Sequence, residues 1–175
     1  MAPLSNATRP RTVPAPTIED MRLANVNPRT GLATDYLNLF NEAIMLFELA
    51  IDMPDLAADL EGWSNRTYVE HFEHSAFARR DIVIAAYYAA PTDIKARFDG
   101  LCEQTCERFS QAICALMASD LSRESDRARA GFELAELKHL VALLDAEIHG
   151  HAPSLSDGHL EAGGEIDQAA IDALF

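Results

Sequence analysis

Apolar residues recur at helical steps through the middle of the chain. Leu37, Phe40, Ile44, Phe47 and Ile51 follow one another at three or four positions, which places them on one helix face. Thr34 or Asp35 is a suitable N-cap for that helix. Asp52-Met53-Pro54-Asp55 ends it, and Pro54 followed by Leu56 and Leu60 predicts a short helix over 54–61, closed by Gly62. Thr67 and Glu70 form a capping-box signature, predicting a second long helix that runs to Pro91 with Val69, Phe72, Ala76, Val83 and Tyr87 inward. Pro91-Thr92-Asp93 both stops that helix and starts a third, whose stripe is Ile94, Phe98, Leu101, Thr105, Phe109, Ala112 and Leu116. After a polar turn over 119–126, Ala130, Leu134, Leu137, Val141, Leu144 and Ile148 mark a fourth helix over about 124–149, ended by Gly150. No stretch alternates as a strand would. The predicted class is all-α: an antiparallel up-down four-helix bundle over 34–150 with one short extra helix.

The flanks lack this periodicity. Residues 1–33 carry Pro3, Pro10, Pro14, Pro16 and Pro28 among small and polar residues, with four arginines, and read as a disordered, mildly basic arm. Residues 151–165, with Pro153 and three glycines, read as a flexible linker. Residues 166–175 are amphipathic again. At helical spacing Ile166, Ala170, Ile171, Leu174 and Phe175 share one side, and Asp167, Gln168 and Asp172 lie mainly on the other. Isolated helices shorter than about 12–15 residues are marginal in water, so this segment needs a groove, on a partner or on its own bundle.

Charge narrows the partner. The 175 residues hold 28 acidic against 14 basic side chains, a formal charge of -14, which repels nucleic-acid phosphates and anionic lipid and favours a protein partner with a basic face. An apolar content of 49% is ample for one domain's core. No run approaches the ~18 apolar residues of a spanning helix, and 1–16 lacks an apolar signal core, so a cytosolic protein without membrane contact is predicted. Cys102, Cys106 and Cys114 are odd in number and fall in one predicted helix, as reduced thiols rather than a disulfide framework.

Gln168-x-x-Ile171-Asp172-Ala173-Leu174-Phe175 resembles the N-terminal peptide of the flagellar switch protein (FliM), with its Ser-Gln-x-x-Ile-Asp-Ala-Leu pattern, and the Phe-ended C-terminal peptide of the CheZ-type chemotaxis phosphatase. Both dock on a CheY-like response regulator. The resemblance implies that Ile166, Gln168, Ile171, Asp172, Leu174 and Phe175 bind such a regulator. Ala169 and Ala170 stand where that pattern is more polar. Glu107 and Gln111, four apart on the third predicted helix, resemble the acid-x-x-x-Gln pair of the same phosphatase, which carries Asp rather than Glu. That resemblance implies that Gln111 positions a water in line with the aspartyl phosphate while Glu107 pairs with the regulator's lysine. Such a reaction asks mainly for positioning and charge stabilisation. Asn27 to Asn38 is similar to a stretch in a group of small alphaproteobacterial helical proteins.

Other chemistries find fewer matching residues. His71, His74 and His139 fall off the core stripes, but none is followed by the Lys-Gly pair of a His-containing phosphotransfer domain. Glu136-x-x-His139 has di-iron spacing without a second such motif. Cys102 and Cys106 lack a second pair to complete a zinc site and read as small core thiols. Trp63 and Tyr87-Tyr88 read as plugs at the bundle ends. No cofactor is implied. A non-enzymatic helical adaptor or localisation protein, in which the bundle dimerises or binds a second protein, and a metal- or cofactor-binding helical bundle stand beside the signalling reading.

Overall fold

A computed structural model describes residues 15–151, and these are predominantly helical, with no β-strand among them. The helices are α1 (Ile18–Leu23), α2 (Asn38–Asp52), α3 (Tyr68–Glu73), α4 (Arg80–Ala89), α5 (Thr92–Met117) and α6 (Glu124–His149). Two 3₁₀ segments flank α2, Thr34–Leu37 before it and Pro54–Gly62 after it. The first replaces the side-chain cap predicted at Thr34 or Asp35, and the second is the short helix predicted at 54–61.

One core joins these elements. α6 packs against both α5 and α2, and α2 also packs on Pro54–Gly62. All six predicted α6 core positions are buried, as are Phe98, Thr105, Phe109, Ala112 and Leu116 of α5. Phe40 lies at the centre, its ring 5.1 Å from Phe109, 5.4 Å from Tyr36 and 6.5 Å from Trp63. Trp63 stacks on Phe109 and donates its indole N–H to the Leu39 carbonyl, which fixes Pro54–Gly62 against α2 and α5. α6 ends where predicted: Gly150 takes the left-handed conformation, and His151 N–H donates to the Ala146 carbonyl.

Two predicted boundaries are corrected. The arm over 1–33 is ordered from residue 15 onward, and Ala24, Val26, Thr30, Leu32 and Ala33 are buried. These residues carry no helical period because they pack through turns rather than along a face. The Asn27 amide oxygen accepts from Arg29 N–H in an Asx turn, and Asn27 N–H donates to the Leu32 carbonyl. Gly31 sits at φ +72°, where a Cβ would come within 2.7 Å of the Ala86 carbonyl, so only glycine fits. The Thr30 hydroxyl and the Asn27 amide both donate to the Ile148 carbonyl, anchoring this segment to the last turn of α6. Residues 1–14 lie outside the described residues.

The second correction concerns the helix predicted from Thr67 to Pro91. Its capping box is present, Thr67 Oγ1 accepting from Glu70 N–H and the Glu70 carboxylate from Thr67 N–H. The helix nevertheless stops at Glu73 and resumes at Arg80. Ser75 takes over the local bonding, its hydroxyl donating to the Phe72 carbonyl and accepting from Phe77 N–H, while Arg80 caps the Glu73 and Ser75 carbonyls. Ala76, predicted inward, is exposed in this break, whereas Phe72, Val83 and Tyr87 remain buried.

Candidate functional site

The 3₁₀ turn before α2, the start of α3 and the end of α4 bring Tyr36, Tyr68 and Tyr87 against one face of α5. Tyr68 stacks on Tyr87 with ring centroids 4.9 Å apart, and Tyr36 lies 5.2 Å from Tyr68. Each hydroxyl has a partner: Tyr36 donates to the Arg66 carbonyl, Tyr68 accepts from Ala33 N–H, and Tyr87 donates to Asp99 at 2.8 Å. Cys102 and Cys106 of α5 stand beside them as free thiols. Together these residues line a groove of about 880 Å³ that opens between α5 and residues 65–70.

Burial sets the electrostatics of the groove. Removal from water pushes the Tyr36, Tyr68 and Tyr87 phenols and the Cys102 and Cys106 thiols above their ordinary values, so all five stay protonated at neutral pH. His71, edge-on to Tyr36, is shifted the other way by burial, and its Nδ1 is buried without a hydrogen-bond partner. The charged groups stand at the lip: Lys95, Asp99, Glu103 and Glu107 on α5 and Arg66 opposite. Lys95 Nζ lies 5.1 Å above the Tyr87 ring.

Glu107 and Gln111 belong to this lip. Both are exposed, and the Gln111 amide donates to Glu107 Oε1 at 3.0 Å. The other end of the amide accepts from Arg108 at 3.3 Å, and Arg108 is itself bonded to Glu133 of α6 at 2.6 Å. The pair is thus tethered to the α5–α6 contact through one guanidinium. Ile166, Gln168, Ile171, Asp172, Leu174 and Phe175, with the linker over 151–165, lie outside the described residues.

The remaining candidates are dispersed. His74 is exposed with a ring nitrogen against the Glu70 carbonyl, and Glu136 and His139 are exposed on the outer side of α6. Among the described residues no three His, Cys, Asp or Glu side chains gather as a metal site, and no helix is long and apolar enough to cross a membrane. The periodic reading missed the groove because it assigned Tyr87 to a core stripe and a helix end and Cys102 to the core of the next helix, and periodicity does not show which helix faces meet. No protein-family model, curated protein or solved structure matches the chain.

Proposed function

We propose that this chain is a cytosolic two-component or chemotaxis signalling protein that binds a CheY-like response regulator through Ile166, Gln168, Ile171, Asp172, Leu174 and Phe175. Glu107 and Gln111 address the regulator's aspartyl phosphate in this reading: the Gln111 amide orients the attacking water, and Glu107 pairs with the regulator's lysine. The observation that supports it is the exposed, mutually bonded Glu107–Gln111 pair on the lip of the α5 groove. The short peptide binds weakly alone, and a tether raises the local concentration of regulator beside α5 to about millimolar. As architecture we propose the antiparallel up-down four-helix bundle, with α3 and α4 as its interrupted second helix.

A second reading has one observation in its favour. Both ends of the Gln111 amide are already engaged, by Glu107 and by Arg108. That suits a non-enzymatic helical adaptor, in which the terminal peptide recruits and the bundle presents a surface.

Pulldown of a phosphoryl-mimic-activated regulator tests the docking step. The full chain retains the regulator, and a chain ending at Gly164 does not; equal retention overturns the docking reading. Gln111→Ala then separates the two functions. Loss of regulator dephosphorylation with binding intact supports the phosphatase reading, and an unchanged rate leaves the adaptor.

A further inference from the structure

α6 carries a buried apolar seam and, on the opposite side, an exposed seam of four alanines, Phe132 and two histidines. The inner one, Ala130, Leu134, Leu137, Val141, Leu144 and Ile148, is buried in the core. The outer one is Ala128, Phe132, Ala135, His139, Ala142, Ala146 and His149, which also alternate steps of four and three. Ala146 is half-buried and the other six are exposed, Phe132 to 65%. A helix facing water ordinarily presents charge at the centre of its outer face. Here the charged residues are confined to the borders, Arg129 and Glu136 on one side, Lys138 and Asp145 on the other. Met45 and Leu49 of α2 are also exposed, 54% and 38%, next to Glu48, which bonds Lys138 of α6 at 3.2 Å. The apolar face therefore continues toward α2.

A three-four alternation with small residues at most layers is the pattern by which one long helix meets another, the alanines allowing close approach. The border charges select the partner. Two copies of α6 laid antiparallel about a two-fold axis can place Phe132 on the partner's His149, His139 on the partner's Ala142 and Ala135 on the partner's Ala146. That register brings Lys138, which bonds Glu48 of its own chain, to the partner's Asp145, whose own-chain contact is His149 at 3.3 Å, and symmetry repeats the pair. Shifting it by one heptad instead opposes Lys138 to itself and Glu136 to itself. The face is thus complementary to its own copy in one antiparallel register and repulsive in the next.

We propose that the outer face of α6 is a homodimer interface, occupied by the α6 of a second copy of this chain in that register. The dimer sets two copies of the α5 groove on one particle, which goes beyond regulator docking and does not depend on it.

Sedimentation velocity on the full chain tests this. The wild type sediments as a dimer. Ala135→Glu with Ala142→Glu sediments as a monomer with unaltered helical circular dichroism, because both positions are exposed and glutamate is a good helix former. Lys138→Asp weakens association by about tenfold, since it opposes two like-charge pairs. Adding Asp145→Lys restores it by reversing both partners of the contact. A wild-type chain that is monomeric at high concentration overturns the proposal, as does a double-glutamate variant that still dimerises. Failure of Asp145→Lys to rescue Lys138→Asp overturns the antiparallel register.

Discussion

Thr30 and Ile148 meet across 118 positions of sequence, the threonine hydroxyl donating to the helical carbonyl at 2.7 Å. Asn27 donates to the same oxygen at 3.1 Å, so a carbonyl in the last turn of α6, which helix geometry leaves without an intrahelical donor, is doubly satisfied.

Thr30→Val keeps the shape and removes one of the two donors. It lowers stability by about 1 kcal/mol, the usual net value of one such bond. Asn27→Leu costs more, since it also removes the Asx-turn acceptor of Arg29 N–H. The double variant loses more than the sum, because only then is the carbonyl left without any donor, and chemical denaturation of the four chains measures that excess.

Gly31→Ala strains the turn before α2 twice over. It places a side chain at positive φ and drives a Cβ toward the Ala86 carbonyl of α4. A loss of about 2 kcal/mol is expected. Gly100→Ala on α5 is the contrast, since nothing lies within 4 Å of its added methyl and helix propensity favours alanine. Thermal unfolding of both variants reads the difference.

His71 gives the fold an acid-sensitive element. Its folded-state value lies below the ordinary 6.5 because burial disfavours the imidazolium. The unfolded chain therefore binds more protons at low pH, so the contribution is fully present above 6.5 and is lost as pH falls through the lower folded value. His71→Phe, which cannot charge between the rings of Tyr36 and Phe72, should flatten the stability profile below 6.5. Asp20 and Glu70, held low by bonds to Thr17 and Thr67, act only at more acid pH. Denaturant midpoints measured across this range show whether the slope disappears.

The three thiols should react with alkylating reagents in order of exposure. Cys114 is exposed, Cys106 partly buried and Cys102 buried, with burial raising the latter two thiols. The thiolate is the reactive species, so Cys114 is labelled first and Cys102 last, by at least tenfold in rate. Mass spectrometry of briefly treated native protein gives the ranking.

The long helices α5 and α6 were legible because most of their buried apolar residues recur at three or four positions and their ends carry Pro91 and Gly150. The break between α3 and α4 was not. Residues 67–90 contain neither proline nor glycine, and Phe72, Val83 and Tyr87 keep apolar spacing across the gap, so periodicity alone joins them. At the break the Ser75 hydroxyl and the Arg80 side chain take up local backbone groups of residues 72–77, bonds that periodicity does not register. Residues 24–33 were illegible for the opposite reason: Val26, Leu32 and Ala33 reach the core through turns, which leave no period, while the Thr17–Asp20 capping box of α1 went unread. Glu107 and Gln111 could be placed on one exposed turn from spacing, but Arg108 and the tyrosine floor beside them arise from contacts between elements. The outer seam of α6 is easily overlooked because alanine is neutral in any hydrophobic pattern.

The join between Thr30 and Ile148 also orders events during synthesis. A growing chain releases residues 27–30 at least 118 positions before Ile148, so their bonds to the last turn of α6 complete after the contacts of neighbouring Ala33 and Gly31 to α3 and α4 become available. Closure of the fold is therefore a long-range step, since the Thr30 and Asn27 bonds can form only once residue 148 has left the ribosome.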